Sequence, residues 1–541
     1  MQNRLKLLRV GLALAMFAGL MAALVDFRGS VPPRFGHWLA SVQFVPSLVA
    51  SATGASLSLA CIVIAAATLA AGRIYCSVIC PLGILQDVIA RLASVLRLRS
   101  KGVFRYAPPH IWLRRLFLWG TASGVAAGWT GLVVALIDPY SAFGRIASGI
   151  FRPLLTLANN TVVGAANAIG VGTLYRVEPA RAGAGALAVP ALMLTLIVLL
   201  SAWRGRLYCN TVCPVGTLLG WLSRWAAFRL EIDRKACSKC AACLRVCKAQ
   251  CIDLRAGAID FSRCVACYNC IGACEHGGIR YRFAWRRRQP AQADAPQGSA
   301  APANAPDPAR RAFIAGTAAA VAVSFAAAPR LLARDPGNGS GKAEQNAPGQ
   351  QDRDNHTRAI CPPGSGSVDQ FLVRCTACQL CISACPTHVL QPATLEYGLA
   401  GIMKPRMNYS TSFCNYDCRA CGEACPTGAI ALLDLAEKRL TQIGEAQFDE
   451  TKCIVKVKGT DCAACSEHCP TKAVNTVPYG NNLRLPRVNR DLCIGCGACE
   501  YACPVLPDKA IKVAGRRRHG RAQKPEEKKM AAPTPAGDFP F

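Results

Sequence analysis

Cys493-Ile494-Gly495-Cys496-Gly497-Ala498-Cys499-Glu500-Tyr501-Ala502-Cys503-Pro504 reads C-x2-C-x2-C-x3-C-P, the spacing by which one peptide loop wraps a 4Fe–4S cube. Three closely spaced thiolates cap three irons. The fourth, on the helix that follows, reaches a neighbouring cube where two clusters share a domain. The run or a near copy occurs six times, beginning at Cys237, Cys264, Cys375, Cys414, Cys453 and Cys493. Repetition on this scale predicts a string of cluster-binding folds, with about six 4Fe–4S clusters in all.

The last four runs are Cys375/Cys378/Cys381/Cys385, Cys414/Cys418/Cys421/Cys425, Cys453/Cys462/Cys465/Cys469 and Cys493/Cys496/Cys499/Cys503, each ending in Cys-Pro. The second widens its first gap, and the third sets Cys453 well ahead of Cys462. Two regular runs thus flank two irregular ones, which suggests that the first pairs with the fourth and the second with the third. Residues 369–513 are expected to form a four-cluster domain, with a basic disordered tail over 514–541. Cys361 fits no run, and His388 and His468, beside cluster loops, read as surface residues.

Upstream, Cys237/Cys240/Cys243/Cys247 is followed by Cys264/Cys267/Cys270/Cys274, the two-cluster pattern, over 232–288. The expected ligation is crossed: Cys237, Cys240 and Cys243 with Cys274, and Cys264, Cys267 and Cys270 with Cys247. Lys248 and Glu275 replace the usual proline, which shapes the turn but donates no bond. Cys251 reads as a bystander.

The chain has 541 residues, 31 cysteines and a net charge of +30, so several domains are expected. A disulfide framework belongs to short secreted chains and does not produce C-x2-C-x2-C tripods. Zinc sites use two separated pairs rather than a three-plus-one run. The basic residues lie mainly between apolar stretches and in the tail, with no nucleic-acid module, so nucleic acid is set aside as a partner.

Residues 1–231 carry four apolar stretches of membrane-spanning character, at about 10–25, 52–71, 116–137 and 182–203. A buried soluble helix is the alternative for each, and a signal peptide for the first. The loop after the second stretch and the segment after the fourth are rich in arginine, which places the N-terminus and residues 232–308 in the cytoplasm. The stretch at 150–170 is expected to be interfacial or re-entrant. A twelve-residue pattern repeats after the second and fourth stretches: Gly72-Arg-Ile-Tyr-Cys76-Ser-Val-Ile-Cys80-Pro-Leu-Gly83 and Gly205-Arg-Leu-Tyr-Cys209-Asn-Thr-Val-Cys213-Pro-Val-Gly216. Cysteines four apart share a helix face. Two converging pairs supply four thiolates, enough for a metal site or a thiol–disulfide couple; the alternative is ordinary packing of small cysteines. Cys61 reads as packing.

A linker rich in Ala, Pro and Gln occupies 289–308. Ala309-Arg310-Arg311-Ala312-Phe313-Ile314 then leads into an apolar run, a twin-arginine export signal or a fifth span over 309–329. Because clusters are assembled in a reducing cytoplasm, export of a folded domain suits the chemistry. Residues 330–368 read as linker, and 330–541 as periplasmic. The fold class expected is a polytopic α-helical membrane domain plus two α+β ferredoxin-like 4Fe–4S domains, one with two clusters and one with four.

In this order the motifs resemble two known families joined end to end. Residues 1–288 look like the NapH/MauN family, with four spans, two C-x3-C-P motifs and a two-cluster ferredoxin. Residues 309–513 look like the NapG/MauM family, with a twin-arginine leader and a four-cluster ferredoxin. The resemblance implies a quinol dehydrogenase component of the bacterial inner membrane, taking electrons from the quinone pool to a periplasmic reductase or redox protein of nitrate reduction or methylamine use. No C-x-x-C-H, G-x-G-x-x-G or P-loop motif is present. A second reading is an assembly factor, with Cys76, Cys80, Cys209 and Cys213 as redox thiols that reduce a metal or disulfide during maturation of a client metalloenzyme.

Overall fold

The computed structural model describes residues 2–54, 59–96, 104–126, 136–170, 175–177, 184–284, 356–357, 359–480 and 482–524. The forecast segments 289–308 and 309–329 and most of 330–368 lie outside them. The chain forms two compact units. One holds residues 1–344, 368–406 and 420–432; the other holds 345–367, 407–419 and 433–541. The expected single domain at 369–513 is therefore divided. The reason is apolar: Cys378, Leu380 and Ala424 are buried in the same core as Leu20, Leu24, Leu39 and Phe143.

The first unit is organised around the helix Gln2–Val25. Near one end, Arg9 reaches Asp87 at 3.7 Å. Near the other, the Leu24 carbonyl accepts a 2.7 Å hydrogen bond from Ser383 Oγ. Fifteen helical steps from Arg9 to Leu24 separate these anchor points by roughly 22 Å. Among the described residues, two helices are long and apolar enough to cross a bilayer, Arg4–Val25 and Gly185–Arg204. The stretches forecast at 52–71 and 116–137 are helical over Ala60–Ala71 and Ile111–Ala126, 12 and 16 residues. Part of each forecast stretch lies outside the described residues. The stretch forecast as interfacial or re-entrant is helical too: Pro139–Ile146 passes through a π turn, Ala147–Phe151, into Arg152–Ala168. Asp138 caps its start, accepting from Ser141 N at 2.8 Å and Ser141 Oγ at 2.6 Å.

Within the same unit, strands Phe228–Ile232 and Ile279–Phe283 pair antiparallel, with Ile232 opposite Ile279. This ferredoxin fold thus starts before the forecast boundary at 232, because alternate residues of the earlier strand face its core and Phe228 stacks on Tyr281. It docks on the C-terminal end of Ala60–Ala71. Ala227 N donates to the Leu69 carbonyl at 2.7 Å and Tyr281 Oη to the Ala71 carbonyl at 3.2 Å, satisfying acceptors that a helix end leaves open.

The second unit is built on strand Thr441–Phe448 paired antiparallel with Ile511–Arg521. The expected disordered tail from 514 is corrected here: Gly515-Arg-Arg-Arg is ladder strand as far as Arg521. The cause is Glu445, almost wholly buried, whose carboxylate takes a 2.7 Å hydrogen bond from Arg516 Nε. A buried carboxylate demands such a partner. Residues from 525 onward lie outside the described set. The end of the forecast 330–368 linker is also folded. Ala359, Ile360 and Cys361 are buried, and Met407 N donates to the Ile360 carbonyl at 2.9 Å.

Candidate iron–sulfur centres

Four of the six runs share one backbone device. The residues immediately before and after the second cysteine both take left-handed φ: Lys239 and Ala241, Ala266 and Tyr268, Ala377 and Gln379, Gly495 and Gly497. Such bends turn successive amide N–H groups into a concave surface that suits an anion. Six of those eight residues are not glycine, so three of the four loops hold strain of about 1–3 kcal/mol per residue that something bound must offset. Amides also aim at sulfur, as in Ala377 N to Cys375 Sγ and Ala446 N to Cys493 Sγ, both at 3.4 Å. The runs at Cys414 and Cys453 lack the bends, in keeping with their altered spacing. Among the described residues no three of His, Cys, Asp or Glu converge on a single point. A cube asks instead that each thiolate meet its own corner. The loops fit the group.

The first ferredoxin gathers its cysteines in two places. Cys237, Cys240, Cys243 and Cys274 line one pocket, and Cys270 sits within electrostatic reach of Cys264, Cys267 and Cys247. For the later runs the expected pairing is wrong. Cys375, Cys378 and Cys381 face Cys425, so the first run pairs with the second. Cys453 and Cys465 face Cys503, while Cys493, Cys496 and Cys499 face Cys469, so the third pairs with the fourth. Adjacent runs pair because crossing needs only a short return loop, and irregular spacing in one partner is absorbed locally.

The second of these runs spans the boundary between the two units. Cys414 and Cys418 belong to the second unit, whereas Cys421 and Cys425 belong to the first. All four are only partly buried. Cys421 lies within electrostatic reach of Cys381 in its own unit, and Cys414 N donates to the Cys496 carbonyl at 2.9 Å in the other. The residues of the widened gap before Cys418 are held by helix Leu435–Leu440: Lys438 Nζ donates to the Tyr416 carbonyl and Arg439 Nε to Asp417 Oδ1, both at 2.9 Å.

The C-x3-C-P cysteines Cys76, Cys80, Cys209 and Cys213 are all buried, in the core that also takes in Cys378 and packs against Cys267. Both prolines open helices, Pro81–Val95 and Pro214–Ser223, with Cys80 and Cys213 as the capping residues. Gly216 N donates to Cys213 Sγ at 3.3 Å and Gln86 Nε2 to Cys209 Sγ at 3.2 Å. Beside them lies a buried charge cluster. Arg206 grips Asp87 with two 2.8 Å bonds, and Lys248 from the first ferredoxin reaches the same carboxylate at 3.2 Å. Burial alone pushes the Asp87 carboxyl up; Arg206, joined by Lys248 and Arg9, more than offsets this and holds it at about 2.

Known proteins agree with this geometry. A model described as a 4Fe-4S dicluster domain matches residues 374–430, the first and second of the later runs together. Models described as 4Fe-4S binding domains match 486–506, and also 53–101 and 186–233, the segments that contain the C-x3-C-P motifs. The ferredoxin-type protein NapF of Escherichia coli is 32% identical over 149 residues, 28% of this chain and 82% of that protein. The chain belongs to the Nap/Mau ferredoxin-type family. The methylamine utilization ferredoxin-type protein MauM of Paracoccus denitrificans is 34% identical over 180 residues, 30% of this chain and 79% of its own length. Ferredoxin-type protein NapG of Escherichia coli is 30% identical over 165 residues, 28% of this chain and 68% of that protein. No solved structure matches. As a member of the Nap/Mau ferredoxin-type family, the chain carries several 4Fe–4S clusters and transfers electrons.

Three features of this family member escape the cysteine spacing. His388, expected at the surface, is half-buried, with Nδ1 3.3 Å from Arg152 Nη2. His468 is exposed, as expected. Cys251 is buried, and its sulfur lies 3.6 Å from Cys247 Sγ. Cys-Pro-Thr recurs at three fourth ligands, with Thr387, Thr427 and Thr471 hydroxyls 3.6–3.7 Å from the sulfurs of Cys385, Cys425 and Cys469. The threonine repeat is visible in the sequence and was the signal to read.

Proposed function

We propose that the chain is a membrane-bound electron carrier that takes electrons from quinol in the bacterial inner membrane and delivers them to a periplasmic redox protein or reductase. The supporting observation is the build of the first unit. Helix Gln2–Val25 meets the first ferredoxin's charge cluster at one end and the Cys375 run at the other. Large apolar side chains on it and on Ala184–Arg204, among them Leu7, Leu12, Leu192 and Leu199, point outward, as lipid-facing residues do. On this reading residues 1–231 are polytopic and join a NapH/MauN-like part to a NapG/MauM-like part in one chain. Residues 232–308 lie in the cytoplasm, and the twin-arginine-like segment 309–329 carries residues 330–541 to the periplasm. The tripods and their crossed fourth cysteines, 24 in all with Cys418 and Cys421 among them, hold six cubes. Each cube supplies one-electron redox chemistry; the polypeptide fixes their spacing and excludes water. Anaerobically purified chain in detergent should have its clusters reduced by a short-chain quinol, and a quinol-site inhibitor should block this. Clusters that dithionite reduces but quinol leaves oxidised would overturn the reading.

A further inference from the structure

Strand Ile511–Arg521 of the second unit carries a bulge of basic sequence. Its ladder with Thr441–Phe448 pairs Gly515 with Gly444 and next pairs Gly520 with Gln442. Arg516, Arg517, Arg518 and His519 therefore stand against the single residue Ile443. A bulge of this kind interrupts pairing and re-aims side chains. It is also pinned by the segment before the Cys375 run: His519 N donates to the Gly366 carbonyl at 2.8 Å, and Arg518 bridges to Ser367. Arg517, Arg518, Arg521 and Lys524 are exposed along it and just beyond.

A cavity of about 230 Å³ opens beside the bulge, lined by Arg490, Arg516 and Arg521 together with Gln442, Glu445 and Asp491. Gln442 and Glu445 are almost wholly buried, and Gln442 Nε2 donates to the Arg490 carbonyl at 2.7 Å, which fixes the floor. Glu445 is held by Arg516. The two remaining arginines outnumber Asp491, and Arg517, Arg518 and Lys524 add charge of the same sign. Around the Cys453 run the balance differs: Asp449, Glu450, Asp461 and Asp508 each meet a lysine or arginine at 3.2 Å or less. A cleft walled by one sign of charge concentrates the opposite sign. The bulge offers no exposed large apolar side chain to a bilayer interface, which favours an acidic protein over a lipid surface.

Thr441–Phe448 carries the Cys493 loop as well as the bulge. Ile443 N donates to the Ile494 carbonyl at 3.1 Å, and Ala446 N to Cys493 Sγ at 3.4 Å. A Cβ at Gly495 would lie 2.5 Å from Gly444 N, and one at Gly444 would lie 2.6 Å from the Ala514 carbonyl oxygen, so loop, strand and basic strand are pressed together. Two strand spacings, roughly 10 Å, separate the bulge from the cluster loop. The geometry points to the bulge at 516–519 and its cavity as the docking surface for an acidic one-electron redox protein. Carboxylates of that protein pair with Arg490 and Arg521 at the cavity and with Arg517 and Arg518 at its rim. The cube of Cys493, Cys496, Cys499 and Cys469 is oxidised by one electron as the partner's centre is reduced by one, with no proton or bond transferred. This deepens the electron-carrier reading and rests on it.

The test uses full-length protein purified without oxygen in detergent, its clusters reduced by dithionite and the excess removed. Plastocyanin, an acidic one-electron copper protein, and mitochondrial cytochrome c, a basic haem protein, serve as acceptors in stopped flow. Plastocyanin reduction should slow at least about tenfold as salt rises from about 20 to about 300 mM, whereas cytochrome c reduction should hold or quicken. Arg517→Glu/Arg518→Glu should cut the low-salt plastocyanin rate at least about tenfold, with iron content and electron paramagnetic resonance unchanged. The equal charge change Arg255→Glu/Arg282→Glu, at exposed positions of the first ferredoxin, should leave that rate within about twofold. If the reversal does not fold, Arg517→Gln/Arg518→Gln should lower the rate about threefold. A rate that the bulge variants leave unchanged, or that the control lowers equally, overturns the inference. So does an unchanged rate with lost binding to phosphatidylglycerol vesicles, which gives the patch to lipid. Failure of quinol to reduce the clusters overturns the electron-carrier reading instead, and the dithionite-driven reaction still judges the docking surface.

Discussion

Left-handed residues around the second cysteine are the finest feature that distinguishes a cluster loop from a cysteine-rich turn. At the Cys493 run both are glycine, and a Cβ at Gly497 would lie 2.1 Å from the Tyr409 ring, whose hydroxyl donates to the Gly495 carbonyl at 2.6 Å. Gly497→Ala is therefore expected to destabilise the folded chain by roughly 2–4 kcal/mol through overpacking and backbone strain. Ala377→Gly relieves an existing left-handed alanine and should stabilise by about 1 kcal/mol; thermal unfolding of the anaerobic protein reads both signs. Thr471, itself buried, directs its hydroxyl at the sulfur of Cys469. A hydrogen bond worth about 1 kcal/mol more to the reduced state corresponds to roughly 40 mV in a one-electron couple. Thr471→Val should lower one cluster potential by that order, as a redox titration followed by electron paramagnetic resonance would show. At this scale the ligands were legible because their spacing is local. The strain at Lys239 or Gln379 was not, because nothing in those residue types asks for a positive φ until a cluster imposes it.

Elements show where tertiary demand overrode local pattern. The Arg-rich segment after Ala514 reads as tail, yet it forms a strand because Glu445 needs a cation and Thr441–Phe448 needs an edge partner. Arg516→Ala leaves that carboxylate buried and unpaired, and should cost the second unit roughly 3 kcal/mol in chemical denaturation. His519, on the same strand, has both ring nitrogens buried without a partner, and burial pushes its imidazole down to about 4. The unfolded chain, titrating near the ordinary value of about 6.5, binds the proton first. Stability is then full above about pH 6.5 and falls as pH drops toward 4, by roughly 3 kcal/mol in total. Denaturation midpoints measured across that window check it, and His519→Gln should flatten the slope. The apolar stretches expected at 10–25 and 182–203 fall on the helices Gln2–Val25 and Ala184–Arg204. Ala60–Ala71 ends where the first ferredoxin takes up its terminal carbonyls, a stop set by a partner far along the chain.

Across the whole molecule, pairing was the part that sequence order misjudged. Regularity suggested that like runs pair, whereas chain economy joins neighbours, the first run with the second and the third with the fourth. The hold of Lys438 and Arg439 on the loop before Cys418 was equally hidden, because both stand some way downstream. Asp87 ties the first helix, the second C-x3-C-P repeat and the first ferredoxin together through Arg9, Arg206 and Lys248. Asp87→Asn strands these cations in a buried site and should destabilise the first unit by about 3–5 kcal/mol, seen as early loss of its clusters on heating. The central claim is that these thiolates hold iron–sulfur cubes along a chain that carries electrons. Iron and acid-labile sulfide per chain, with low-temperature electron paramagnetic resonance on protein prepared without oxygen, test it most directly. The expected result is coloured protein with iron and sulfide for at least six cubes; a colourless preparation, or one that binds only zinc, would contradict it.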